Sequence, residues 1–119
     1  MRVINLADYL SSFFSVPFFV GQFDEGLTEL QGLVRIYSSV QSNKQVGQVR
    51  AQVLIKSLDQ QELESLGNQI YEHFNLLTNF SLGTSSIILS RSTIPEFVEK
   101  MDDDYYLYSV DLEFIENKQ

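Results

Sequence analysis

The chain has 119 residues, 44% of them hydrophobic, a formal charge of −8 and no cysteine. That length fits a single domain, 1–119, burying about two thirds of its unfolded surface, and the apolar share excludes an intrinsically disordered polymer. The cysteine count excludes disulfide staples and thiolate metal sites and fits cytosolic synthesis; no apolar run reaches membrane-spanning length, and the opening residues lack a signal-peptide pattern.

Asn5 is placed to cap a helix whose apolar set, Leu6, Tyr9, Leu10, Phe13 and Phe14, follows a helical stripe, with Asp8 in its first turn. Pro17 ends that helix by about Ser15. Phe18 to Val20 reads as a short strand or an extended linker, and Asp24 to Gly26 as a turn. Gly32 to Ser39 alternates as a strand, with Leu33, Arg35 and Tyr37 on one face and Val34 and Ile36 on the other. Gln48 to Ser57 is a second, with Val49, Ala51, Val53 and Ile55 on its apolar face. The polar loop Gln41, Ser42, Asn43, Lys44, Gln45 joins the two as a hairpin whose tip has length to protrude.

Asp59 and Glu62 approximate a capping box for the clearest helix, whose stripe is Leu63, Leu66, Ile70, Phe74 and Leu77. Gly67 beside that stripe costs about 1 kcal/mol of helix propensity, which a close helix–sheet approach would explain. Thr78 to Ser81 is expected to unwind the helix, and Gly83 and Thr84 to turn the chain into a strand over Ser85 to Arg91. Pro95 marks the exit from the sheet, and Glu96 to Met101 reads as one turn of helix. After the triple-acid turn Asp102, Asp103, Asp104 comes a long strand to Ile115, with Tyr106, Tyr108, Val110, Leu112 and Phe114 on one face. The fold class is therefore α+β, a mixed and mainly antiparallel sheet with two helices packed on one face.

From Glu96 onward there are eight carboxylates against two lysines, a net of −6. Such a surface disfavours direct binding to nucleic acid or anionic membrane. His73, the sole histidine, reads as a helix-boundary residue rather than a catalytic base, and no second histidine or cysteine is available for a transition-metal site. The three aspartates lack the spacing of an EF-hand loop. Tyr105, Tyr106 and Tyr108 read as packing residues in an acidic setting rather than base-stacking platforms. No enzyme activity and no cofactor is expected.

LADYL leading to PFFVGQF, VRAQVLIKS in a hairpin, IYEHFNLL closing a helix, RSTIP, and YSVDLEF after an acidic turn occur in an order that resembles the tail-terminator and minor-capsid (tail completion) proteins of tailed bacteriophages. The resemblance implies a structural virion protein of the tail's head-proximal end, assembled in the host cytoplasm. It implies a homohexameric ring that stops tail-tube polymerisation and meets the head–tail connector, with no catalytic residues and with DNA passing through without specific binding. Gln41 to Gln45 are the candidate contact with a neighbouring subunit or the tube. Asp102 to Asp104 are the candidate turn facing the lumen or a partner. A connector or stopper role, and a non-phage ligand-binding α+β domain, remain as alternatives.

Overall fold

The computed structural model describes residues 1–41 and 46–117. Two helices, α1 (Val3–Phe14) and α2 (Gln60–Phe74), pack on a sheet of seven strands: β1 (Phe18–Val20), β2 (Gln31–Gln41), β3 (Val46–Ser57), β4 (Leu77–Leu82), β5 (Ser85–Ser92), β6 (Glu96–Lys100) and β7 (Tyr106–Asn117). The strand order is β1-β2-β3-β7-β5-β4, with β6 paired to β7 beside β5. Only β1 with β2 is parallel; every other pairing is antiparallel. The α+β class expected from the pattern is the class observed.

The terminal strand organises the sheet. β3 pairs with β7 along its whole length, from Val46 opposite Asn117 to Ser57 opposite Tyr106. The other margin of β7 is shared: Leu112–Asn117 pairs with β5 and Tyr106–Ser109 with β6. The length of β3 is matched by β7, and the expected hairpin tip, Ser42 to Gln45, lies outside the described residues. Val49, Ala51, Val53 and Ile55 of β3 and Val110, Leu112 and Phe114 of β7 are buried on one face. Against them α1 presents Leu6, Ala7 and Leu10, and α2 presents Leu63, Leu66, Ile70 and Phe74, in one continuous core. Each of the larger ones, Val, Leu, Ile and Phe, contributes about 1.5–3 kcal/mol through its removal from water.

Several local expectations are corrected. The residue before α1 is Arg2, which makes no side-chain cap, and the first turn holds no acid. Asn5 lies inside the helix, and its amide crowds Gly83 in the β4–β5 turn, where φ is +60°. Phe13 leaves the core and is exposed. Thr78 to Ser81 form β4 instead of unwinding a helix, and Leu77 belongs to that strand. A left-handed Asn79 interrupts the alternation there, while the register with β5 stays continuous on either side of it, Thr78 opposite Leu89 and Phe80 opposite Ile87. Glu96 to Lys100 is strand, because β5 stops short and leaves the first half of β7 without a partner on that side.

Asp59 does cap α2, its side chain accepting from the Gln61 and Glu62 amides. The capping box closes through a relay: the Asp59 amide donates to Ser57 Oγ, 3.1 Å, and Ser57 Oγ donates to Glu62 Oε2, 2.9 Å. At the other end, Ser90 Oγ donates to the Phe74 carbonyl at 2.6 Å and ties the last turn to β5. Gly67 permits a close approach, though its neighbour is Pro95 in the β5–β6 connection: a Cβ there would lie 2.7 Å from Pro95 Cβ and Cγ. Gly67→Ala therefore loses more to overpacking, about 1–3 kcal/mol, than the roughly 1 kcal/mol of helix propensity it gains. Urea unfolding should show a less stable variant, and adding Pro95→Ala should recover stability beyond the sum of the single effects.

Candidate assembly surfaces

The strand β6 is the most open element of the sheet. All five of its residues are exposed, and among the described residues it pairs only with β7, so no described strand lies beside its outer backbone groups. Pro95 turns the chain where β5 ends, which separates β6 from the margin that β4 covers. Ile94 (63% exposed), Phe97 (52%) and Val98 (47%) are exposed in and just before this strand, among Glu96, Glu99 and Lys100. Phe97 keeps one contact with the core, edge-on to Tyr108 at 5.6 Å between ring centroids. Tyr108 accepts from Gln60 and donates to Glu64, tying this corner to α2.

The hairpin from β6 to β7 carries the triple-acid turn. Met101 N donates to the Tyr105 carbonyl at 2.7 Å and Asp104 N to the Met101 carbonyl at 3.0 Å. Asp104 takes a left-handed φ of +70°, a conformation that aspartate tolerates better than most residues. All three aspartates are exposed, and Lys100 Nζ stands 3.9 Å from Asp104 Oδ1. Their charges diverge into water: among the described residues, no three His, Cys, Asp or Glu side chains are grouped to hold a metal ion. Of the predicted loop, Gln41 is the last residue of β2, with its backbone paired to Gly47; Ser42, Asn43, Lys44 and Gln45 lie outside the described residues. The structure thus brings the three aspartates together as one turn.

The sheet face turned away from the helices has the opposite character. Arg50 Nε and Arg91 Nη1 approach the two oxygens of Glu113 at 3.5 and 3.8 Å, and Gln48 donates to the same carboxylate at 2.7 Å. Arg35 donates to Gln52 one strand further out. Arg50, Arg91 and Glu113, with Tyr37, Thr93 and Asp111, border a shallow cavity of about 310 Å³. Alternation along the strands signals this face; the meeting of Arg50 and Arg91 on Glu113 depends on register across three strands.

His73 sits between the helices. Its ring stacks on Phe13 at 3.9 Å, and Nε2 lies 2.7 Å from the Tyr9 hydroxyl. The phenol donates when the neutral imidazole carries its proton on Nδ1, and accepts when the proton is on Nε2. Burial lowers the His73 pKa from its ordinary 6.5 and raises that of Tyr9 from its ordinary 10.0.

Open strand edges beside exposed apolar side chains, on an α+β fold, are features that suit association with other chains. The family described as bacteriophage tail terminator protein matches residues 4–117. The chain belongs to that family, whose members are structural proteins of the phage tail. Comparison with curated proteins gave no match. No helix among the described residues is long and apolar enough to cross a membrane.

Because the folded His73 value lies below the unfolded one, the unfolded chain takes the proton first on acidification. The stability that neutral His73 contributes is full above about pH 6.5 and is lost as pH falls through that value towards the folded pKa. Denaturant midpoints at pH 8 and pH 5 should differ more for the wild type than for His73→Gln.

Proposed function

We propose that this protein closes the head-proximal end of a phage tail tube as a ring of six identical copies, ending tube polymerisation and joining the tail to the head connector. The observation that carries this reading is the free outer edge of β6, with Ile94 and Val98 exposed beside it, in a chain of the tail terminator family. A closed ring needs two different surfaces that fit each other head to tail. The acidic margin around β6 and the arginine-bearing face around Arg35, Arg50 and Arg91 are such a pair, and their charges draw them together.

The end of the β2–β3 hairpin, with Gln41 to Gln45, is the part we assign to the tube or a neighbouring subunit. The turn Asp102–Asp104 we assign to the lumen or to a partner, where its charge lets DNA pass without adhering. The role is non-enzymatic and needs no cofactor: the family is structural, and His73 is occupied by Tyr9 and Phe13. Assembly takes place in the host cytoplasm, before the tail meets the head.

Electron microscopy of tails assembled with and without the protein tests the proposal. Capped tails of uniform length are expected with it, and overlong uncapped tubes without it. Ile94→Asp with Val98→Asp, both at exposed positions, should leave the unfolding midpoint unchanged while abolishing the ring and the cap. Normal capping by that variant would remove β6 from the contact, and twelve copies per virion would assign the protein to the connector instead.

A further inference from the structure

The residues following β1 fold back over the end of the sheet that carries Lys56. Gln31, fully buried, fixes this segment: its Oε1 accepts from the Asp24 amide at 2.8 Å, and its Nε2 donates to the carbonyls of Asp24 and Leu27 at 3.0 and 3.2 Å. Asp24 Oδ1 accepts from the Gly26 amide at 3.0 Å and tightens the turn. The result places Phe23 above Lys56, a residue only 6% exposed. The ammonium lies 4.7 Å from the centroid of Phe23 and 4.8 Å from that of Tyr105.

The two rings stabilise the cation through their faces, yet they accept no conventional hydrogen bond. No described residue forms an ion pair or hydrogen bond with Lys56 Nζ. A lysine buried to this degree ordinarily has a charged or hydrogen-bonded partner. Lys56, Phe23 and Tyr105 also line a pocket of about 610 Å³, with Leu27 on its wall and the exposed Glu25 and Asp103 at its border.

We propose that this pocket is a carboxylate-binding site, in which an anionic oxygen docks on Lys56 Nζ while the apolar body that carries it lies against Phe23, Tyr105 and Leu27. The lysine stem is enclosed while its ammonium stays open to the pocket, so an anionic oxygen that enters reaches the cation between the two rings. Glu25 and Asp103 stand in water, where their repulsion of a negative charge is screened; inorganic phosphate has no apolar body to lie against Phe23, Tyr105 and Leu27. The site is independent of the ring assignment, since it rests on Lys56 and its pocket alone.

The test is a titration of the full-length protein with hexanoate, followed by NMR at the Lys56 ammonium and at the Phe23 and Tyr105 amides. Saturable shifts at all three are expected, with hexylammonium and inorganic phosphate giving none. Lys56→Met should abolish saturation. Asp103→Asn, on an exposed turn that tolerates substitution, should tighten hexanoate about two- to fivefold and decides the matter should Lys56→Met fail to fold. If the carboxylate comes from a second copy of this chain, the Lys56 signal moves on diluting the protein without hexanoate, and hexanoate competes with that change. Identical titrations of the wild type and Lys56→Met, silence of Lys56 toward hexanoate, an unchanged affinity in Asp103→Asn, or phosphate acting as well as hexanoate would overturn the site.

Discussion

Hydrogen bonding along both margins of β7 is the constraint on which the rest of this structure depends. One margin is filled by β3 without interruption, and the other is divided between β5 and β6. Because β7 is held on both sides, its alternate side chains have one face fixed toward the helices, and Val110, Leu112 and Phe114 become the floor on which α1 and α2 settle. The division of the second margin has equal weight. Pro95 interrupts the strand run, packs against Gly67 of α2, and lets β6 diverge from the part of the sheet that β4 protects.

The surfaces follow from the same arrangement. The helices cover one side of the sheet, so the charged positions of β2, β3, β5 and β7 gather on the other, where Glu113 is shared by two arginines and a glutamine. Five of the eight acids after Pro95, namely Glu96, Glu99, Asp102, Asp103 and Asp104, lie instead along β6 and the turn into β7. The two faces therefore differ in sign as well as in shape. Net charge alone would not reveal this, because a formal −8 conceals three arginines on one face. Membership of the tail terminator family gives such surfaces a physical context, that of contact between protein chains in a virion tail.

The strongly periodic stretches were legible in the chain before any coordinates. The apolar rows of β3, α2 and β7 each bury one face, and Asp59 announces its helix through a short polar side chain at the right offset. The misses share a cause in tertiary pairing. LTNFSL contains a left-handed Asn79 that breaks the period of two, and EFVEK is extended only because β7 offers it a free margin. Asn5 is a good capping residue by type, yet its amide is engaged at Gly83, seventy-eight positions away in sequence. Lys56 carries no local sign of burial: it alternates onto the polar face of its strand, and only the return of Phe23, held by Gln31, encloses it. Local pattern reports which face of an element is oily; it does not report what a distant segment will lay across the other.

The strand at the middle of the sheet is also the last of the nine elements in chain order. During synthesis, the β2–β3 hairpin and both helices leave the ribosome before the strand that will join them to β4, β5 and β6. Until then β3 has a bare margin and the core lacks its floor, so the nascent chain cannot complete the sheet piecemeal. A chain that stops before β7 lacks the one strand that bonds the β2–β3 hairpin to β5 and β6.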